Sequence, residues 1–205
     1  MIGPGSDYGL PAEPPSSAIV VDSDAAGSMV LAEARRLGER LPALVLRGGD
    51  LHRTLGGVPR SVDRRTDGHQ MIRFPVDLGV VEVDGTEHLF LAHAVLRLPL
   101  WRGRFIVLMN AQWCGPLDLG PRSHPGDGLL DVTDGSLTLR QRLEARRRAR
   151  SGTHLPHPDL RTRRTTQLFI EESDRPLMLH LDGVRVLRCR TATVTLESDA
   201  VTVYV

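Results

Sequence analysis

Lysine is absent from this sequence; all 26 cationic side chains are arginine. That excludes a G-x-x-x-x-G-K-[ST] phosphate loop, Schiff-base chemistry and any lysine general base. Cysteine is scarce: Cys114 and Cys189 stand far apart with no C-x-x-C partner. This argues against a disulfide scaffold or a cysteine metal site, and for a reducing cytoplasm. Aromatic residues make up only 4%, so the core has to be built from Val, Leu, Ile and Ala. No apolar run approaches the roughly 18–20 residues that a membrane span requires. A net charge of +1, with no aromatics interleaved among the arginines, argues against a nucleic-acid partner. What is present, 205 residues with a 40% hydrophobic fraction, suits one large globular domain or two small ones.

Residues 1–17, rich in Gly, Pro and Ser, read as a disordered leader. Ala18 to Asp22 then reads as a short buried strand. Apolar positions at Val30, Leu31, Ala34, Leu37 and Leu41 predict a helix over 27–41, ended by Pro42. Ala43–Leu46 is a second buried strand, and Gly48-Gly49 a tight turn. Strand, helix and strand in so short a stretch predict a parallel βαβ unit. Residues 61–70 read as a linker. From Met71 the texture changes to short β-rich runs, among them 76–83, 88–95, 105–109, 167–171, 177–181, 184–190, 192–196 and 201–205. Asp84-Gly85 and Asp182-Gly183 mark hairpins, and only 137–150 has helical character. The expected architecture is therefore α+β: a small α/β lobe over 18–70, then a β-sandwich-like domain over 71–205.

Two blocks carry a resemblance. Asn110, Gly115 and Pro121 precede Asp127-Gly-Leu-Leu-Asp-Val132, and Pro176-Leu-Met-Leu-His-Leu-Asp-Gly183 follows later. In this order and spacing they resemble the bacterial-type diacylglycerol kinase-like lipid kinases, whose strand-ending Asn, Gly turn, Pro and D-G-x-L-D-V precede a late D-G-E. In the front half, Arg47-Gly-Gly-Asp-Leu-His-Arg-Thr-Leu-Gly56 is similar to that family's G-T-G-N-D-L-A-R-T-L-G segment. Phe74-Pro-Val-Asp-Leu-Gly79 is similar to its I-D-L-G strand, and 20–26 falls where the family has G-G-D-G-T. Against the family, a long central segment is missing between Leu98 and Arg104, and so are a first strand and helix.

The resemblance implies an ATP- and magnesium-dependent transfer of phosphate to a diacylglycerol-like hydroxyl. It makes Asp182 the general base and Asp127 a carboxylate of the magnesium network, with Asp24, Gly48, Gly49 and Asp50 at the nucleotide. The departures weigh the other way. Side chains replace glycines in Asp22-Ser-Asp-Ala-Ala26, Gly49 stands for the family Asn, and Val184 for the Glu of D-G-E. A glycine turn is what lets backbone amides approach phosphates closely. Bland readings compete as well: Asp24 and Asp50 as helix-capping carboxylates, Asp182-Gly183 as an ordinary turn. Two functions thus stay open, a non-catalytic or weakly active lipid- or anion-binding derivative and an active lipid kinase. The arginines between 140 and 164 add a candidate surface for an anionic membrane. Arg142, Arg146 and Arg148 there are equally readable as a solvated helix face. His154 and His157 make no metal site, because Pro156 and Pro158 deny them a shared helical face. The expected setting is cytoplasmic, peripheral to a membrane, with self-association left open.

Overall fold

The computed structural model describes residues 8–57 and 70–205. The chain enters through β1 (Leu10–Pro11) and builds a crossover unit from β2 (Ile19–Val21), α1 (Asp24–Arg36) and β3 (Leu44–Leu46). Ile19, Val20 and Val21 lie opposite Leu44, Val45 and Leu46 in a parallel pair, as a helical crossover requires. The expected leader enters the fold from residue 8. Leu10 and Pro11 pair with Arg73 and Ile72, while the Tyr8 ring packs 5.1 Å from Phe74 and its hydroxyl donates to Pro75 O at 2.7 Å.

Helix α1 begins and ends earlier than the apolar spacing suggests. Ser23 caps it, its Oγ accepting from Ala26 N at 3.2 Å, so Asp24, Ala25 and Ala26 form the first turn. It stops at Gly38 rather than Pro42. Gly38 sits at φ +70°, and the amides of Gly38 and Glu39 return to the carbonyls of Arg35 and Ala34. The short α2 (Asp50–Thr54) follows Gly49; the expected linker lies almost wholly outside the described residues.

β4 (Ile72–Val83) turns through Asp84-Gly85, both at positive φ, into β5 (Thr86–Phe90). The run 88–95, expected as one strand, divides here. β6 (His93–Arg97) crosses to a second sheet that also holds β7 (Arg104–Met109). A small hairpin of β8 (Trp113–Cys114) and β9 (Leu117–Asp118) precedes β10 (Leu130–Ser136), α3 (Leu139–Arg148) and β11 (Leu160–Thr165). The chain closes with β12 (Gln167–Glu171), β13 (Leu177–Leu181), β14 (Val184–Cys189) and β15 (Thr191–Tyr204).

The first sheet has the order β1-β4-β15-β3-β2, with β12 paired on β15 and β5 on β4; the second runs β11-β10-β7-β6-β13-β14. β15 is antiparallel to β4 and, at its end, parallel to β3. Strands from the expected α/β lobe and from the β-rich part therefore share one sheet. Period-2 alternation explains the two cores. Val76, Leu78 and Val80 of β4 pack with Leu31 of α1 and Leu51 of α2, whereas Val81 and Val83 face Leu96, Ile106, Leu108 and Leu179 of the second sheet. Gly79 makes the junction: a Cβ there would overlap the fully buried Phe90 ring. The result is a mixed α+β fold, a sandwich of two sheets with α1 and α2 on one end of the first.

Candidate functional site

Of the carboxylates singled out in the sequence, Asp24, Asp50 and Asp182 converge, through backbone amides rather than around an open space, and Asp127 lies apart. Asp24, only 4% exposed, reaches from the first turn of α1 to the N-terminus of α2. It accepts from Asp50 N at 2.5 Å and from Leu51 N at 3.2 Å. Gly48 and Gly49 make this approach feasible. Gly49 lies at φ +104°, and a Cβ there would overlap the Asp24 carboxylate. The helix terminus that could receive an anion thus receives a side chain of the same chain. Burial, then the nearby charge of Asp182, drive the Asp24 carboxyl up to about 7, against the pull of the two amides.

Asp50 points the other way. Its carboxylate accepts from His93 Nε2 at 3.0 Å and from Gly115 N at 2.9 Å. Burial would raise the Asp50 carboxyl, but these bonds hold it below its ordinary value. His93 is 2% exposed. Desolvation would lower it, but the Asp50 carboxylate, with Cys114 as a further neighbour, pushes it well above an ordinary imidazole. Arg53 fastens the same corner, stacked 3.3 Å over the Trp113 ring and donating to Gly115 O.

Asp182 sits at the tip of the β13–β14 turn with φ +48°. Its two oxygens accept from Leu91 N at 2.9 Å, Ala92 N at 2.8 Å, His93 N at 3.1 Å and Ser28 Oγ at 2.5 Å. A carboxylate has about four lone-pair sites, and here each has a donor. Asn110 braces the same segment: its Nδ2 donates to Leu91 O at 2.7 Å and to Asp77 O at 2.8 Å. Asp127 belongs to another set of contacts. It accepts from Leu129 N at 3.0 Å and pairs with Arg164, which also reaches Asp131. Among the described residues no three His, Cys, Asp or Glu side chains are grouped so as to hold a metal.

The three arginines of α3 divide. Arg148 pairs with Glu144 one turn back at 2.7 Å, and Arg142 donates to Leu100 O. Arg142 and Arg146 lie at the rim of a cavity of about 540 Å³. Phe105, Val107, Leu137 and Leu160 of the second sheet and its flanks form the floor, and Leu139, Leu143 and Ala145 of α3 form the roof. A capping box fixes the roof: Thr138 Oγ accepts from Gln141 N, and Gln141 Oε1 from Thr138 N. Leu100, Leu139 and Leu143 are each about two-thirds exposed at the mouth. Leu100 and Trp101 both sit at φ +56°, in the turn that forms the cavity's edge. Left-handed backbone at two successive non-glycine residues is costly.

Ser28, His93 and the cavity escaped the sequence reading. Ser28 looks like any helix residue, and His93 lies inside an apolar strand run. The nearest available signal was Leu139 and Leu143 on one face of α3 among arginines.

No protein family matches this chain by sequence, and no curated protein does. Solved structures do match. A protein of Bacillus anthracis str. Sterne assigned as a diacylglycerol kinase superposes with a TM-score of 0.66 at 18% identity, over 91% of this chain and 77% of that one. A second structure with the same assignment and organism gives 0.65 at 16% over the same shares. A third, described as a diacylglycerol kinase of that strain, gives 0.56 at 17%, over 80% of this chain and 66% of the other. At 16–18% identity this likeness is one of fold alone: the chain shares the fold of these bacterial structures.

Proposed function

We propose that this protein is a lipid-binding derivative of the diacylglycerol kinase-like fold that does not transfer phosphate, acting in the cytoplasm and peripherally at membranes. The observation that carries the reading is the apolar cavity beneath α3. Its volume falls within the roughly 300–1,000 Å³ of small-molecule sites, and apolar walls with an arginine rim suit acyl chains below a polar head. The nucleotide half argues in the same direction. The amides that would cradle a phosphate are held by Asp24, with Asp50 and Asp182 close by, so these residues do not fit a triphosphate. Asp182 has no acceptor site left for a substrate proton. On this reading Asp24, Asp50 and Asp182 are ties between α1, α2 and the sheets.

Trp101 lines the cavity and reports its occupancy, with Trp113→Phe removing the only other indole. Titration with monoacylglycerols should shift its emission to the blue and saturate. Each pair of added methylenes should tighten binding by about 1.6 kcal/mol, roughly 15-fold, until the cavity is full. Ala145→Phe, which fills the roof, should cost at least about tenfold. An affinity independent of chain length, or unaffected by Ala145→Phe, would remove the cavity as the binding site.

A further inference from the structure

The outer face of the second sheet has two halves. Below α3 it is apolar, as described. Beside that half, strand alternation brings out a different set of side chains. Ala94 and Leu96 of β6 face the sandwich core, so Val95 and Arg97 face out; Leu177, Leu179 and Leu181 of β13 face in, so Met178 and His180 face out. The register sets Met178 against Arg97 on one side and Arg188 on the other, and His180 against Val95 and Arg185. With Arg175 before β13, they line an open groove of about 460 Å³. It has four guanidinium groups and an imidazole, and among the described residues no carboxylate on its walls.

Among the described residues none of these four arginines is in an ion pair. Some arginines elsewhere do find acids, Arg35 with Glu197, Arg104 with Asp134 and Arg164 with Asp127 among them; these four share one concave wall without one. Four unpaired cations on one concave surface repel one another and lower the energy of an anion placed among them. Guanidinium groups match phosphate oxygens with paired hydrogen bonds. His180 lies within this field; burial, then Arg97 and Arg185, hold it below an ordinary imidazole.

Groove and cavity are neighbours. The Arg97 guanidinium lies 5.1 Å from the Trp101 ring, and Trp101 packs 5.2 Å from Phe105. Trp101 and Phe105 both line the cavity, and Phe105 is the cross-strand partner of Arg97. One strand spacing, about 5 Å, separates the two.

We infer that the lipid this protein takes is an acylated phosphate monoester, its chains in the cavity under α3 and its phosphate among Arg97, Arg175, Arg185 and Arg188. This rests on the cavity reading above and adds the head group. It distinguishes the ligand from a neutral diacylglycerol, which would leave the groove without an anion.

Calorimetry with dihexanoyl phosphatidic acid, dihexanoylglycerol and inorganic phosphate, each below any micelle-forming concentration, tests it. Wild type should prefer the phosphate-bearing lipid to the neutral one by about 100-fold, what two charge-assisted hydrogen bonds supply. In Arg175→Gln/Arg185→Gln/Arg188→Gln the affinity for the phosphate-bearing lipid should fall to that for the neutral lipid. The histidine NMR signal of His180 should titrate at higher pH with the phosphate-bearing lipid bound than with the neutral one. Equal binding of both lipids by wild type overturns the head-group inference and leaves the cavity reading standing. Inorganic phosphate binding as tightly as the lipid phosphate also overturns it, since the groove would then serve a free anion. Binding of neither lipid overturns both.

Discussion

Asp24→Asn should stabilise the protein relative to wild type as pH rises from 4 to 7.5, by on the order of 4 kcal/mol. The folded carboxyl is raised from 3.8 to about 7, chiefly by burial and then by the charge of Asp182. Below pH 4 both folded and unfolded chains hold the proton and no penalty arises. Between about 4 and 7 the unfolded chain releases its proton first, so wild-type stability falls as pH rises. Above 7 the folded protein bears the full cost of a buried carboxylate; each pH unit of displacement corresponds to about 1.4 kcal/mol. Asn keeps a carbonyl oxygen for the amides of Asp50 and Leu51 and has no charge to bury. Urea unfolding of both proteins at four pH values measures the difference. A difference that stays flat from pH 4 to 7.5 would show that Asp24 is not held in this environment.

His93→Ala should have an effect of similar size and opposite sign. Its ring is almost fully buried and donates to the Asp50 carboxylate at 3.0 Å. Truncation leaves a largely buried carboxylate with Gly115 N as its remaining polar contact from across the site, at a cost of about 3–5 kcal/mol at neutral pH. Because the folded histidine is raised above its unfolded value, its contribution is fully present below pH 6.5 and lost as pH rises through the folded value. The deficit of His93→Ala should therefore shrink on going from pH 7 toward 10. His93→Gln, which keeps a donor without the charge, should recover part of the neutral-pH loss and show a weaker alkaline trend. A deficit that does not change with pH would mean that His93 is neutral in the folded protein.

The periodic parts of the fold were legible in the sequence, because they depend on neighbours a few residues apart. Val30 and Leu31 place α1 against the sheet, Ala34 is buried on the same helix, and the Asp-Gly pairs at 84–85 and 182–183 are the hairpin turns they resemble. The start of α1 is legible in Ser23, a good cap, at a place where the family resemblance puts a glycine turn instead. The ties across the chain were not legible. Asp24 caps a helix 26 residues onward, Asp182 binds amides about 90 residues before it, and β15 joins the first βαβ unit only at the very end. None of these pairings follows from local pattern. The same holds for the arginine groove, whose members become neighbours only once the β6–β13–β14 register is set.

The retained acids explain why the sequence kept two functions open. Asp24, Asp50 and Asp182 stand where a resemblance to lipid kinases expects chemistry. In the folded protein each carboxylate is bonded to groups of the chain itself.

The central claim is that the nucleotide half has become structural while the lipid half still binds. Isothermal titration calorimetry of the full chain with ATP, with and without magnesium, tests this most directly. The account predicts an affinity no better than millimolar, about −4 kcal/mol, and no gain from magnesium. Micromolar, magnesium-dependent ATP binding, lost in Asp24→Ala, would contradict it and return the protein to the lipid kinases as an active enzyme.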